Sequence, residues 1–115
     1  RMQVPVLDPH NKSGLKGKYV LMSADIRAKS FAQQGNYFKA GDEYKAAATT
    51  GELAPAELQL AWYLAAYSYL MAGSSDTETI VDYLQKAIEA DPQNPAVQQL
   101  NQAIHKLQSD VQLKK

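Results

Sequence analysis

Residues 55–73 read PAELQLAWYLAAYSYLMAG, an almost wholly apolar run opened by a proline and closed by a glycine. Pro55 suits the first turn of a helix, where its missing N–H is no loss, and Gly73 suits a left-handed stop. Between them Trp62, Ala65, Ala66, Tyr69 and Gly73 form one stripe at helical spacing. Leu60, Tyr63, Tyr67 and Leu70 form a second, offset by about one residue or ~100°. A helix that only had to close its own hairpin would need the first stripe alone.

Working outward, the run belongs to a helix-hairpin pattern that occurs twice. Around residues 62–92 it reads Trp62, Ala66, Tyr69, Gly73, Ile80, Leu84, Ala87, Pro92; around residues 24–47 it reads Ala28, Phe31, Gly35, Tyr37, Ala40, Tyr44, Ala47. Small residues fall where two helices cross closely, aromatics fill the gaps beside them, and a glycine sits at each hairpin turn. The spacing predicts a first helix over about Tyr19–Gln34, with Val20, Ala24, Ala28 and Phe31 on one face, and a second over Asn36–Thr50 with Asn36 as N-cap. The third runs from Pro55 to Met71 or Ala72. Ser75 and Glu78 read as a capping box opening a fourth over Asp76–Ala90. Asn94 and Pro95 open a fifth, whose narrow stripe (Val97, Leu100, Ile104, Leu107, Val111) and broad polar back (Gln98, Gln99, Asn101, Gln102, Lys106, Gln108) suit a terminal capping helix. Residues 1–18, with Pro5, Pro9, Gly14 and Gly17, read as an extended linker or arm, along which Val4, Val6 and Leu7 are able to pack on the body. The expected fold is therefore all-α, five helices over residues 19–115, in one domain.

Composition narrows function more by exclusion than by indication. The 115 residues carry 12 Lys+Arg against 12 Asp+Glu, so no global field draws the chain to nucleic acid or an anionic membrane. The chain has no cysteine, which removes disulfides and thiolate metal sites and leaves cytoplasmic and periplasmic addresses equally open. The longest apolar run, Leu60–Ala72, is interrupted by Ser68 and too short to span a bilayer. The start lacks the apolar core of a signal peptide, and a chain beginning at Arg1 is expected to be a piece of a longer protein.

Nor do the polar residues gather into a catalytic constellation. His10 and His105 have no second histidine or carboxylate at ligand spacing, and Asp8 with His10 gives two ligands on an arm. The carboxylates fall into i,i+4 pairs, Asp25 with Lys29, Lys39 with Glu43 and Asp82 with Lys86, worth a few tenths of a kcal/mol each. Ser13–Lys18 lacks both the leading glycine and the trailing Ser/Thr of a P-loop. Asn11-Lys12-Ser13 matches the glycosylation acceptor pattern, a coincidence at this length unless the protein is secreted from a eukaryote. No enzyme, cofactor or metal is expected.

The repeated residues resemble the tetratricopeptide repeat (TPR) family over about residues 21–95, with repeat one at about 21–50, repeat two at about 55–92 and a capping helix at about 95–112. Trp62, Ala66, Tyr69, Gly73, Leu84 and Ala87, then the proline exit in Ala90–Pro95, carry most of the match. The first helix departs from it, with Ala24 at the usual tryptophan and Arg27 at a usual leucine. Ala47 and Ala87 stand further apart than the family's ~34-residue period, the excess falling in Thr49–Pro55 and Ser74–Thr79. Ile80 stands where alanine is preferred, which implies a wider crossing. Three or more repeats are usual, so the capping helix, the parent protein or a second copy would supply the missing layer.

What the resemblance implies is a short right-handed superhelix of stacked hairpins that binds a protein or peptide segment in its concave groove. The second stripe (Leu60, Tyr63, Tyr67, Leu70) occupies the groove-facing side, and the matching first-helix positions are Met22, Asp25, Lys29 and Gln33. Two readings stay open: Tyr63 and Tyr67 line such a groove, or they pack as core against the first helix or the arm. Self-association through the same surface, or through the ends of the stack, is the alternative function. Chaperone-binding members clamp a peptide's terminal carboxylate with lysine and asparagine, whereas the clamp positions here hold Asp25 and Lys29. Calorimetry with an acidic C-terminal peptide is accordingly expected to give no micromolar binding.

Overall fold

The computed structural model describes residues 15–113. Five helices follow one another: α1 (Leu15–Gln33), α2 (Tyr37–Ala48), α3 (Pro55–Met71), α4 (Thr77–Ala90) and α5 (Val97–Leu113). The described residues contain no strand, and the fold is all-α. Each helix packs on its successor, and α1 also touches α3. Pairings such as Gln59 with Ala87 and Trp62 with Tyr83 run in opposite residue order, so α3 and α4 are antiparallel.

Local chemistry explains where most helices stop and start. Gly35 and Gly73 adopt φ of 80° and 79°, a conformation that costs a glycine little. At each, the helix closes in a Schellman motif: Gly35 N–H donates to Ala32 O and Asn36 N–H to Phe31 O, and Gly73 N–H donates to Leu70 O and Ser74 N–H to Tyr69 O. Asn36 caps α2 by accepting from Lys39 N–H at 3.3 Å. At α4 the expected Ser75–Glu78 box does not form. Asp76 is the N-cap, accepting from Thr79 N–H at 3.1 Å and from the Thr79 hydroxyl at 2.6 Å. These bonds hold the Asp76 carboxyl below its ordinary range, the hydroxyl contributing most. A carboxylate also suits the positive end of the helix better than a hydroxyl does. At α5, Asn94 accepts from Ala96 N–H at 2.9 Å, and helix proper begins at Val97, two residues later than expected.

The start of α1 is a second correction. Helix begins at Leu15, so residues 15–18 belong to the domain and not to an arm; the rest of the expected arm lies outside the described residues. The reason is tertiary. Gly17 is buried against the α2–α3 connection, where an added Cβ would lie 2.5 Å from Glu57 Oε1 and 2.7 Å from Glu52 O. Lys16 pairs with Glu52 at 3.2 Å beside it. This close seat offsets the roughly 1 kcal/mol that a glycine costs inside a helix.

The core is built from small residues in contact with large rings. Ala61, Ala65 and Ala66 of α3 are fully buried, with Ala28, Ala40 and Ala87 packed around them and Ile80 and Leu84 as the largest fully buried side chains. Rings run in a line across α2, α3 and α4: Phe38–Tyr69 at 5.8 Å, Tyr69–Tyr83 at 5.6 Å and Tyr83–Trp62 at 5.1 Å between centroids, all tilted. The Tyr69 hydroxyl donates to Asp42, which fixes its ring over Gly41. A Cβ at Gly41 would stand 2.5 Å from Tyr69 Cε1 and 3.2 Å from Ala65 O, so glycine is what lets α2 and α3 meet there. Gly41→Ala gains helix propensity but forces the anchored ring aside. The expected net loss is about 1–2 kcal/mol, read from the denaturant midpoint with an unchanged slope.

Candidate functional site

Buried positions on α3 (Gln59, Trp62, Ala66) follow one line of the helix, and the exposed ones follow another. Leu60, Tyr63, Tyr67 and Leu70 are 45%, 38%, 48% and 41% exposed. They are surface residues, not core. The Tyr63 and Tyr67 rings stack on each other at 6.2 Å and 24°. The cause is composition: α3 has one charged residue, Glu57, which accepts from Ala54 N–H at 3.0 Å at its N-terminus. Its outward face therefore has only apolar and aromatic groups to present.

Three of the four divide between two clefts, and Leu70 lines neither. Toward α5, Leu60 and Tyr63 join Ala56, Gln59, Asn94, Ala96, Gln99, Leu100 and Ala103 around a volume of about 490 Å³. Toward α1 and α2, Tyr67 joins Lys29, Ala32, Tyr37, Ser68 and Met71 around about 180 Å³. The structure thus brings Tyr67 and Lys29 together, as the sequence led us to expect, and places Leu60 and Tyr63 in a different cleft.

Other expected first-helix positions are placed elsewhere. Asp25 is occupied by a structural bond: the Tyr44 hydroxyl donates to it at 2.5 Å and Lys29 pairs with it at 3.0 Å. Met22 and Gln33 line neither cleft. The small residues Ala28 and Ala32 form that wall instead, and Met22, two residues or ~200° from buried Ala24, faces away from the body with Tyr19 and Ile26. The Lys39–Glu43 pair also gives way, because Arg27 reaches Glu43 from α1 at 2.6 Å while Lys39 lies over the Phe31 ring at 5.7 Å. Asp82–Lys86 stands at 3.9 Å, and Lys86 also lies over Trp62.

Gln59 is the residue that stripe reading passed over. It is 5% exposed, and its Nε2 donates at 3.1 Å to both Ala87 O and Asp91 O, tying α3 to the end of α4. A signal existed: Gln59 shares the phase of Trp62 and Ala66, and an amide on a buried line needs buried partners. Among the described residues no group of three or more His, Cys, Asp or Glu is arranged to hold a metal ion, and no helix is long and apolar enough to cross a membrane. His10 and the Asn11–Ser13 pattern lie outside the described residues.

Residues 15–112, from the first residue of α1 almost to the end of α5, match the model of a family described as an uncharacterised protein C-terminal domain. The chain belongs to this family. It is 41% identical over 100 residues to an uncharacterized protein of Treponema pallidum (strain Nichols), an alignment covering 87% of this chain and 33% of that protein. The chain thus spans about a third of the length of that relative. No solved structure matches it.

In this domain the Asp25–Tyr44 bond lies beside the smaller cleft, whose lining includes Tyr44 but not Asp25. The Tyr44 hydroxyl, and next to it Lys29, hold the Asp25 carboxyl below its ordinary value of 3.8, against the opposing effect of burial. Burial first, then Asp25, pushes the Tyr44 phenol well above its usual range. A carboxyl whose folded pKa is depressed stabilises the fold above its unfolded pKa, and that contribution is lost as pH falls through the folded value. Tyr44→Phe is expected to return the Asp25 titration midpoint toward 3.8, followed by carboxyl NMR, and to flatten the dependence of stability on pH below about 4.

Proposed function

We propose that the chain is a protein-interaction module of TPR-like build, two helical hairpins and a capping helix, that takes a protein segment along the outer line of α3. The observation that carries this reading is the exposure of Leu60, Tyr63, Tyr67 and Leu70 in a row on one helix, flanked by a cleft on either side. Tyrosine suits such a surface, since its ring gives apolar area at little entropic cost while its hydroxyl stays in water. A groove of this shape fits an extended or helical segment with apolar side chains and a polar rim. Under this reading the chain has no catalytic role and binds no cofactor, and its near-neutral charge gives nucleic acid no purchase.

A second reading, self-association, is favoured by a different surface. Tyr19, Met22 and Ile26 are all more than half exposed on the outward face of α1. Light scattering separates the two: a mass that rises with concentration and falls to the monomer in Ile26→Lys supports self-association.

The interaction reading is tested with a Tyr63→Ala/Tyr67→Ala variant beside the unaltered chain, in capture followed by mass spectrometry and then titration of the segment identified. Both substitutions lie on the surface, so the helical signal is expected to persist and stability to change by no more than about 1 kcal/mol. Affinity for the segment is expected to fall at least ~30-fold, corresponding to roughly 2 kcal/mol. A variant that unfolds, or that binds as tightly as before, overturns the reading.

A further inference from the structure

The α3–α5 cleft is the larger of the two, and among the described residues no charged side chain lines it. It also borders a buried acceptor. Gln59 is 5% exposed, and its Nε2 donates to both Ala87 O and Asp91 O. The planar amide therefore carries Oε1 on the side away from those carbonyls, and Gln59 itself lines the cleft. None of the described residues donates to that oxygen. Buried acceptors are rarely left without a donor. The nearby Asn94 amide is committed elsewhere: its Nδ2 donates to Asp91 at 3.1 Å, and its Oδ1 accepts from Ala96 N–H at 2.9 Å.

We propose that this cleft is the anchor pocket of the α3 surface: it takes a tryptophan side chain from an uncharged stretch of a partner segment, and the indole N–H donates to Gln59 Oε1. This rests on reading the outer line of α3 as a binding surface, and names the chemistry that one end of it recognises. Size and lining support it. About 490 Å³ falls within the roughly 300–1,000 Å³ of clefts that enclose a whole ligand, so the largest side chain enters with its flanking backbone. Leu60, Leu100 and the Tyr63 ring give an aromatic plane apolar and aromatic surface to pack against. Tyr67 stands four residues, or ~6 Å of helix, beyond Tyr63, so one segment covers both.

Hydrogen-bond inventory selects the residue. A single unpaired acceptor in an apolar cleft calls for one donor that brings no acceptor of its own. Hydroxyl and amide side chains, histidine and the backbone all bring both. Lysine and arginine bring a charge into a cleft whose described lining holds no carboxylate. Tryptophan alone joins a large apolar body to a lone N–H. It is also among the side chains most enriched where a desolvated pocket carries the binding energy of an interface. At the rim, the exposed Gln99 amide is placed to meet the segment's main chain. The other cleft has the Lys29 ammonium in its wall and less than half the volume, and suits an indole less well.

The test titrates N-acetyltryptophanamide, an uncharged tryptophan with a peptide bond on either side, into the full chain labelled at its alanine methyl groups. Millimolar binding is expected of a ligand this small. The Ala56, Ala96 and Ala103 methyl signals are expected to shift, and those of Ala28 and Ala32 to stay in place. Methylating the indole nitrogen is expected to weaken binding at least ~5-fold, because the Gln59 acceptor is then covered and unpaired. Gln99→Trp, at an exposed position, fills the cleft from within and is expected to abolish the shifts with the helical signal unchanged. An acetylated, amidated Gly-Ala-Trp-Ala-Gly peptide is expected to bind several-fold tighter than the single residue. Absence of binding, indifference to the N-methyl group, a peptide no tighter than the single residue, or shifts that survive Gln99→Trp would overturn the proposal. So would free indole binding more tightly than the peptide, because the occupant is then a small molecule. Methyl shifts that follow protein concentration without any probe would overturn it too, because the occupant is then a second copy. The titrations need no partner, so they succeed or fail independently of capture through Tyr63 and Tyr67.

Discussion

Close approach between helices is the constraint on which the rest of this structure depends. Ala61, Ala65 and Ala66 give α3 a nearly smooth inner side, and Gly41 removes the last Cβ that would hold α2 away from it. Backbones this near leave little room for long aliphatic side chains between them, so bulk is supplied from the margins. The Phe38, Tyr69, Tyr83 and Trp62 rings form a seam that crosses three helices beside the alanine contacts. Hydroxyls and amides at the edges of that seam then need partners, which Asp42, Asp25 and the end of α4 provide. Geometry comes first here and polar chemistry follows from it.

That order explains why the outer side of α3 is exposed. A helix whose inner line is alanine can bury little apolar area per turn, and a chain with this one compensates by making the whole helix apolar. The surplus is turned outward as Leu60, Tyr63, Tyr67 and Leu70, with α1 and α5 forming banks and not a cover. The groove is a by-product of tight packing on the opposite side of the same helix.

Much of this was legible in the residues, for reasons that are local. Gly35, Gly73, Asn36 and Pro55 mark their boundaries through backbone preferences that hold whatever surrounds them. Two alanine stripes at helical spacing announced the crossings, and α3's second stripe announced an outward apolar line. What was illegible depends on neighbours distant in sequence. Gly17 reads locally as loosening, and only the chain brought against it shows that a Cβ has no space; the need for glycine at 41 likewise appears only once Tyr69 and Ala65 stand beside it. Lys39 and Glu43 are spaced for a pair within one helix, but Arg27 on α1 arrives closer. The rotation of α1 against α3 is set by Ala28 and Ala32, so Met22 and Gln33, correctly spaced on their own helix, turn past the cleft. Ser75 lost its capping role to Asp76 because a carboxylate one residue on fits the same end better.

The two ends of the stack differ in what they would demand of anything laid against them. At α5, the outward side chains are Gln98, Asn101, Gln102, His105, Lys106 and Gln108, each of which would have to give up water to be covered. At α1, Tyr19, Met22 and Ile26 would release water from apolar surface instead. Desolvation is thus unfavourable at one end and favourable at the other. The two outer faces of the stack, α1 and α5, are therefore chemically unequal.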